Sequence, residues 1–317
     1  MIEKLIKDTH PRPAWTMIKD GRRIQFGPKP WKVLWGKIKQ IVVFSILLVP
    51  CADAANDFRY RKTVTPFIVE LSLGNIPGKA TNNKFGRSQN VDSGVATDIW
   101  GGSDGPDNQP LWTHVTAARI HEIYSVDADD TSSGDGCRTV SVSGVGHGDM
   151  SIASETVSMA GNTYVPTLNT YQRINRMACE TFGVTEMNEG NIYAIAQVDA
   201  STQIVVTANF GQSLHGIWTC PLGKTCLITN YYASMNKSGG ASGAIDLTLF
   251  TRDNTTSEHG WRVRHSLGAI TTGSSHFGHA FNPYFKIAEK TDIKVQAIGS
   301  ANDLDVSAGF DVIIVDN

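Results

Sequence analysis

Ser213 and His215, in the run Gly211-Gln212-Ser213-Leu214-His215, are the residue types from which a nucleophile and its base are built. The run lacks the Gly-x-Ser-x-Gly elbow that would present the hydroxyl, and no acid is placed to orient the imidazole. Glu155 and Glu186 are candidates for the paired carboxylates of glycan hydrolysis, but nothing in their spacing sets them on facing strands. Asp127, Asp129 and Asp130, with Asp135 beyond Gly134, offer oxygen ligands to a cation. Their spacing departs from the calcium-loop pattern, so a solvated turn is expected. His114 and His121 lie apart, while His276 and His279 fall in a Gly/Ser-rich stretch expected to be a loop and not a metal site. No catalytic residue, metal or cofactor is assigned, and the chain is expected not to be an enzyme.

Cysteine chemistry is sparse. Cys220 and Cys226 flank the turn Pro221-Leu222-Gly223-Lys224-Thr225 between two apolar runs and form a candidate disulfide across a hairpin. Cys137 and Cys179 have no local partner and read as buried thiols. No Cys-x-x-Cys or Cys/His spacing suggests zinc.

Binding is the other chemistry on offer. Trp100 beside Gly101-Gly102, Trp112, Tyr231-Tyr232, Trp261 and the His276-Phe277-Gly278-His279 run hold rings that stack on sugar faces and mark candidate glycan or receptor loops. The competing reading makes Trp100, Trp112 and Trp261 caps of β-sandwich cores.

The elements that must position these residues are strands. Thr139–Ser143 and Glu155–Met159 alternate strictly around a Gly/Asp turn cluster. Similar runs cover residues 192–197, 203–208, 213–219, 226–234, 244–252, 261–266, 285–288, 292–298 and 309–315, mostly separated by Gly, Asn, Asp or Ser. The pattern predicts an all-β chain of two sandwich or jelly-roll domains, at 91–208 and 211–317, led in by an extended segment at 63–90.

The first 62 residues differ in kind. Residues 1–40 hold ten Lys and Arg against three acids, a net of +7, so with −2 overall the remainder carries −9. Lys29, Trp31, Lys32, Trp35, Lys37 and Lys39 then precede the apolar run Ile41–Val49 and Cys51-Ala52-Asp53-Ala54-Ala55. A basic stretch, a short apolar core and an Ala-rich ending fit a secretory leader; an interfacial anchor, an assembly arm and an upstream extension are the other readings. Interleaved Lys, Arg and Trp could meet phosphates, but the acidic body repels a polyanion, so no nucleic-acid partner is expected.

Phe67-Ile68-Val69-Glu70, Gly74-Asn75-Ile76-Pro77-Gly78, Lys84-Phe85-Gly86-Arg87, Val91-Asp92 and Asp98-Ile99-Trp100 open a collinear series. It continues through Arg138-Thr139-Val140-Ser141-Val142, Arg173-Ile174-Asn175-Arg176, Phe250-Thr251-Arg252-Asp253 and Gly309-Phe310-Asp311-Val312. From about residue 65 onward the chain resembles a family of structural proteins of tailed bacteriophages, mainly marine. The resemblance implies a place on the virion, as a head-fibre, capsid-decoration or tail-associated protein, without implying an activity; an outer-capsid decoration or head-fibre protein is the expectation. Self-association, with a trimer as one form, and contact with major capsid or tail proteins are the expected partnerships. A tail-associated or receptor-binding role with a host-surface glycan, and an exported adhesin of the cell envelope, are the alternatives.

Overall fold

The computed structural model describes residues 15–19, 22–26, 66–103, 109–237, 243–256, 260–271 and 274–317. Lys29, Trp31, Lys32, Trp35, Lys37 and Lys39, the apolar run Ile41–Val49 and Cys51 lie outside the described residues. The chain divides into Met1–Pro66 and Phe67–Asn317. Of the first unit, β1 (Trp15–Lys19) and β2 (Arg22–Phe26) form an antiparallel hairpin.

The second unit is all-β apart from the short helix α1 (Phe67–Ser72) and one turn of 3-10 helix. Its strands are β3 (Lys79–Val91), β4 (Ala96–Asp98), β5 (His121–Ser125), β6 (Cys137–Gly146), β7 (Ser151–Ser158), β8 (Val165–Pro166), β9 (Tyr171–Phe182), β10 (Ile192–Ala196) and β11 (Thr202–Val206). They continue with β12 (Ile217–Thr219), β13 (Lys224–Lys237), β14 (Gly243–Asp253), β15 (Arg262–Thr271), β16 (Ser274–Ile287), β17 (Thr291–Gly299) and β18 (Leu304–Asp316). Among the described residues no helix is long and apolar enough to cross a membrane.

Alternation decides which face each strand buries. In β14, Ile245, Leu247 and Leu249 point inward, and in β17 Ile293, Val295 and Ala297 do the same. They meet Ile228, Tyr231, Ala233 and Met235 of β13 and Val306, Ala308 and Phe310 of β18 across one core. One sheet of this core runs β16-β13-β18-β3 and the other β15-β14-β17-β12. With β3 as the first strand and β12 to β18 as the rest, this is the strand order of an eight-stranded jelly roll.

The second strand of that jelly roll, at the edge of its sheet, is cut in two. β4 pairs with residues 296–298 of β17 and β12 with residues 292–294, both antiparallel, so they occupy one line beside β17. Ile99 continues β4 by donating its amide to Val295 O (2.9 Å), and Gly216 N donates to Ile99 O (2.9 Å). Everything between is an insertion: a second sandwich in which β7-β6-β9 packs on β11-β10-β5-β8 around Val140, Val142, Ile174, Met177, Ile192 and Ile204.

The two sandwiches therefore do not divide at residues 209–211. Ser213 N still bonds Met177 O in the inserted sandwich (2.9 Å), and residues 79–99, assigned by sequence to the lead-in and first domain, belong to the jelly roll. Gly86 of β3 lies where the insertion enters and leaves. A Cβ there would stand 2.3 Å from Gly216 N and 2.4 Å from Ile99 O, so no other residue lets these backbones meet.

Two disulfides are present among the described residues. Cys220–Cys226 is bonded, Cα–Cα 6.2 Å. It does not close a hairpin, because β12 and β13 belong to opposite sheets and the link spans the turn between them. Cys137 and Cys179, expected to be free thiols, are bonded to each other, Cα–Cα 5.9 Å. Register shifts in the β6–β9 ladder between Cys137 and Val140 bring the two onto a common face.

Candidate binding face

The residues that sequence marked for chemistry mostly serve the fold. Asp130 is buried, and its carboxylate accepts from Ser125 Oγ (2.6 Å), Cys137 N (2.7 Å), Glu189 N (3.0 Å) and Gly190 N (2.9 Å). Four protein donors use up its acceptor sites, so it organises two loops and has no lone pair left for a cation. Among the described residues no three His, Cys, Asp or Glu converge on a metal position. Glu155 accepts from Leu168 N, Asn169 N and Tyr171 Oη, a turn-fixing role. Ser213 Oγ accepts from Met177 N, and His215 is fully buried with Nδ1 unpartnered.

Three of the candidate glycan rings are enclosed. Trp100 and Tyr231 are 0 % exposed and Trp112 6 %, so none can offer a face to a ligand. Trp100 and Trp112 form a small core with Ile217, against which Trp261 packs. This supports the cap reading for the tryptophans on physical grounds: the rings fill the joint between the two sandwiches.

That joint is polar as well as aromatic. Arg173 of β9 and Asp292 of β17 form a pair with side chains 2 % and 0 % exposed: Nη2–Oδ2 is 3.1 Å and Nε–Oδ1 3.1 Å. Arg173 Nη1 also donates to Val115 O (2.7 Å), and Thr219 Oγ1 donates to Asp292 Oδ1 (2.6 Å). Burial alone would raise the Asp292 pKa, but the Arg173 charge and the hydroxyl outweigh it and hold the carboxyl below its ordinary value.

Asp98 beside it accepts from Lys294 Nζ (2.7 Å), Gln296 Nε2 (2.9 Å) and Trp112 N (2.9 Å), while Lys294 lies 4.6 Å from the Trp261 ring centre. Arg252 donates to the His114 ring, whose pKa is lowered to about 4 by burial first and then by Arg173 and Arg252. On the other flank Asn175 Nδ2 donates to Thr219 O (3.3 Å), Thr219 N to Asn175 Oδ1 (3.1 Å) and the buried Lys84 to Asn175 O. Burial, then the Arg176 charge, pushes the Lys84 pKa well below the usual lysine value.

The remaining candidates lie outside this joint. His276 and His279 are not in a loop. They lie within β16 and face opposite ways, since His276 pairs with the outward Ser234 and His279 with the inward Tyr231. His279 stacks on His265 of β15, ring centres 3.9 Å apart. His276, by contrast, opens onto solvent.

The outer face of the β16-β13-β18-β3 sheet carries two open depressions. His276, Ser234, Ser307 and Arg87 form one row across its four strands. With Asn236 and Asp305 they line a trough of about 670 Å3. Arg87 forks onto Asp305 (Nε–Oδ1 2.9 Å, Nη2–Oδ2 2.6 Å), which fixes both side chains. The next row carries Tyr232, whose ring crosses Gly309 and whose hydroxyl accepts from Asn83 Nδ2 (2.9 Å); Asn83 also donates to Asp311 Oδ1 (2.6 Å). Beyond it a second depression of about 330 Å3 is lined by Ser72, Thr81, Asn82, Asn83, Thr229 and Tyr284. Of the rings singled out in the sequence only Tyr232 and His276 reach this face. Arg87, Asn83, Asp305 and Asp311 were missed, because β3 and the outward positions of β18 carry no apolar alternation to mark them as neighbours.

No family profile and no curated protein sequence matches the chain. Among solved structures it overlaps that of infectious bursal disease virus Gt strain, at 12% identity over 80% of this chain and 78% of that one, TM-score 0.22. It also overlaps the N-terminal tandem CBM22 domain of Xyn10C from Paenibacillus barcinonensis, at 10% identity over 76% and 94% of the two chains, TM-score 0.21. Overlaps of that quality say nothing about function.

Proposed function

We propose that the protein is a non-enzymatic structural component of a virus particle, carried on the outer surface of a tailed-phage head as a decoration or head-fibre protein. The observation that carries this reading is the architecture: a jelly roll whose second strand is opened to insert a second sandwich, the two locked by a buried ion pair. Jelly rolls recur in viral capsids and lectins, and the collinear sequence resemblance points from these toward phage. Two disulfides fit a protein that works outside a reducing cytosol, as on a virion surface.

The test is mass spectrometry of particles banded by density from a culture that carries the gene. Peptides from residues 67–317 at a fixed ratio to the major capsid protein support the proposal. Their recovery only from the cell envelope or medium overturns it.

A second reading, recognition of a host-surface glycan, draws on one feature: the polar trough beside His276, with Ser, Asn, Arg and Asp side chains suited to sugar hydroxyls. Binding of purified host glycans that is lost in Asn236→Ala and His276→Ala would favour it over decoration.

A further inference from the structure

Among the described residues β15 pairs only with β14 and β16 only with β13, so the two strands present free edges side by side. Their inward residues leave the core half-covered: Leu267, Phe277, Phe281 and Phe285 are only partly buried, and each strand contributes a single fully buried residue, Ala269 or Ile287. Apolar side chains also project into water there, with Ile270 79 %, Val263 58 % and Tyr284 52 % exposed. Unpaired edges and exposed apolar surface of this kind call for a cover.

The charge on this side identifies the cover. Residues 261–287 contain Arg262, Arg264 and Lys286 but no Asp or Glu, in a body that is otherwise acidic. None of the three forms an ion pair among the described residues; Arg264 donates to Thr251 Oγ1 (2.6 Å) and lies over the Phe285 ring.

The opposite pattern occurs on the inserted sandwich. Loop 126–136 and the end of β9 with its following loop, 180–190, contain no Lys or Arg and carry Asp127, Asp129, Asp135, Glu180, Glu186 and Glu189 at the surface. They are held together by Gly183 N donating to Gly136 O (2.8 Å) and by the Asp130 carboxylate bonding the amides of Glu189 and Gly190. They too expose apolar residues, with Val184 at 78 %, Val126 at 50 % and Met187 at 48 %. No hydrogen bond or ion pair joins these loops to β15 or β16 among the described residues.

We infer that the β15–β16 side of one subunit docks on the acidic loop end of a second copy of this chain, with apolar contacts at the centre and opposite charges around them. Two different patches meet, so the contact is head-to-tail and closes into a ring when the rotation allows. It deepens the virion reading by naming the subunit's partner. Because it is tested in solution, either can fail without the other.

Sedimentation velocity on the full chain tests it, using the variants Arg264→Glu/Lys286→Glu and Asp129→Lys/Glu186→Lys. The wild type is expected to associate on the order of 10 μM, and to weaken about tenfold or more as salt is raised, because screening falls on exposed charges. Each variant alone is expected to sediment as a monomer, and an equimolar mixture to regain association, since every contact then pairs opposite signs. Recovery on mixing also shows that both variants are folded. A wild type that stays monomeric, or variants that associate as the wild type does, would overturn the inference. So would a loss confined to the basic-side variant, with Asp129→Lys/Glu186→Lys associating as the wild type does, the result expected of symmetric edge-to-edge pairing.

Discussion

The joint between the sandwiches and the β15–β16 side are opposites in composition and burial. At the joint Arg173, Asp292, Lys294, Asp98 and Lys84 are ionisable yet enclosed, and hydrogen bonds reach each of them. On the other side Val263, Ile270 and Tyr284 are apolar or aromatic yet wet. Burying charges is costly unless both partners and their remaining donors are satisfied, so a joint of this kind tolerates one geometry. Exposed apolar surface carries no such constraint until something covers it. The contrast separates a contact fixed within the subunit from one left for assembly.

Breaking the joint should give the largest effect. Arg173→Ala leaves Asp292 buried and unpaired, and a loss of about 3–5 kcal/mol is expected in denaturant unfolding. A loss below about 1 kcal/mol would show that water reaches the joint and that the sandwiches are not locked.

The disulfides come next. Cys137→Ser with Cys179→Ser opens a closure of sequence separation 42, for which chain entropy gives about 4 kcal/mol; the short Cys220–Cys226 closure is worth about 2 kcal/mol. Thermal melts of the two double variants should preserve that order, and the reverse order would mean that the turn linking the sheets matters more than the inserted sandwich.

Acid should loosen the inserted sandwich. His121 is buried, its Nδ1 bonds Arg119 O (3.1 Å) and its Nε2 has no partner, and burial lowers its pKa from 6.5 to about 4. The unfolded chain binds the proton first, so stability falls as pH drops below about 6.5 and the loss is complete near 4, where it reaches about 3 kcal/mol. His121→Gln should flatten that part of the stability–pH curve. An unchanged slope would assign the acid sensitivity to the joint, where His114 and His215 are also held neutral by burial.

The smallest effect belongs to the open side. Ile270→Ser should change unfolding by less than about 0.5 kcal/mol, as for other surface positions, while reducing self-association in sedimentation. A large loss of stability with no change in association would make Ile270 part of the core and remove the contrast.

Strands with inward Val, Ile and Leu on alternate positions were legible in the sequence. Residues 192–197, 244–252 and 292–298 match β10, β14 and β17 to within a residue or two. β3 was not, because Asn82-Asn83-Lys84-Phe85-Gly86 turns a lysine inward and places its aromatic outward. The insertion was equally hidden. Nothing in Ala96–Asp98 and Ile217–Thr219 shows that they share one line beside β17, since period reveals a strand and not its partner. The Cys137–Cys179 bond failed for the same reason, as its register is set across 42 residues. The tryptophan caps were readable as one of two options, but His276 and His279 were misplaced because Gly and Ser in that segment mark an edge strand instead of a loop.

Cryo-electron microscopy of the purified particle tests the central claim most directly. The account predicts density for the jelly roll and its inserted sandwich at symmetry-related sites on the outer surface, with β15–β16 of one subunit against the acidic loops of the next. Particles that lack this density while the protein is abundant in the envelope or medium of the same culture would contradict it.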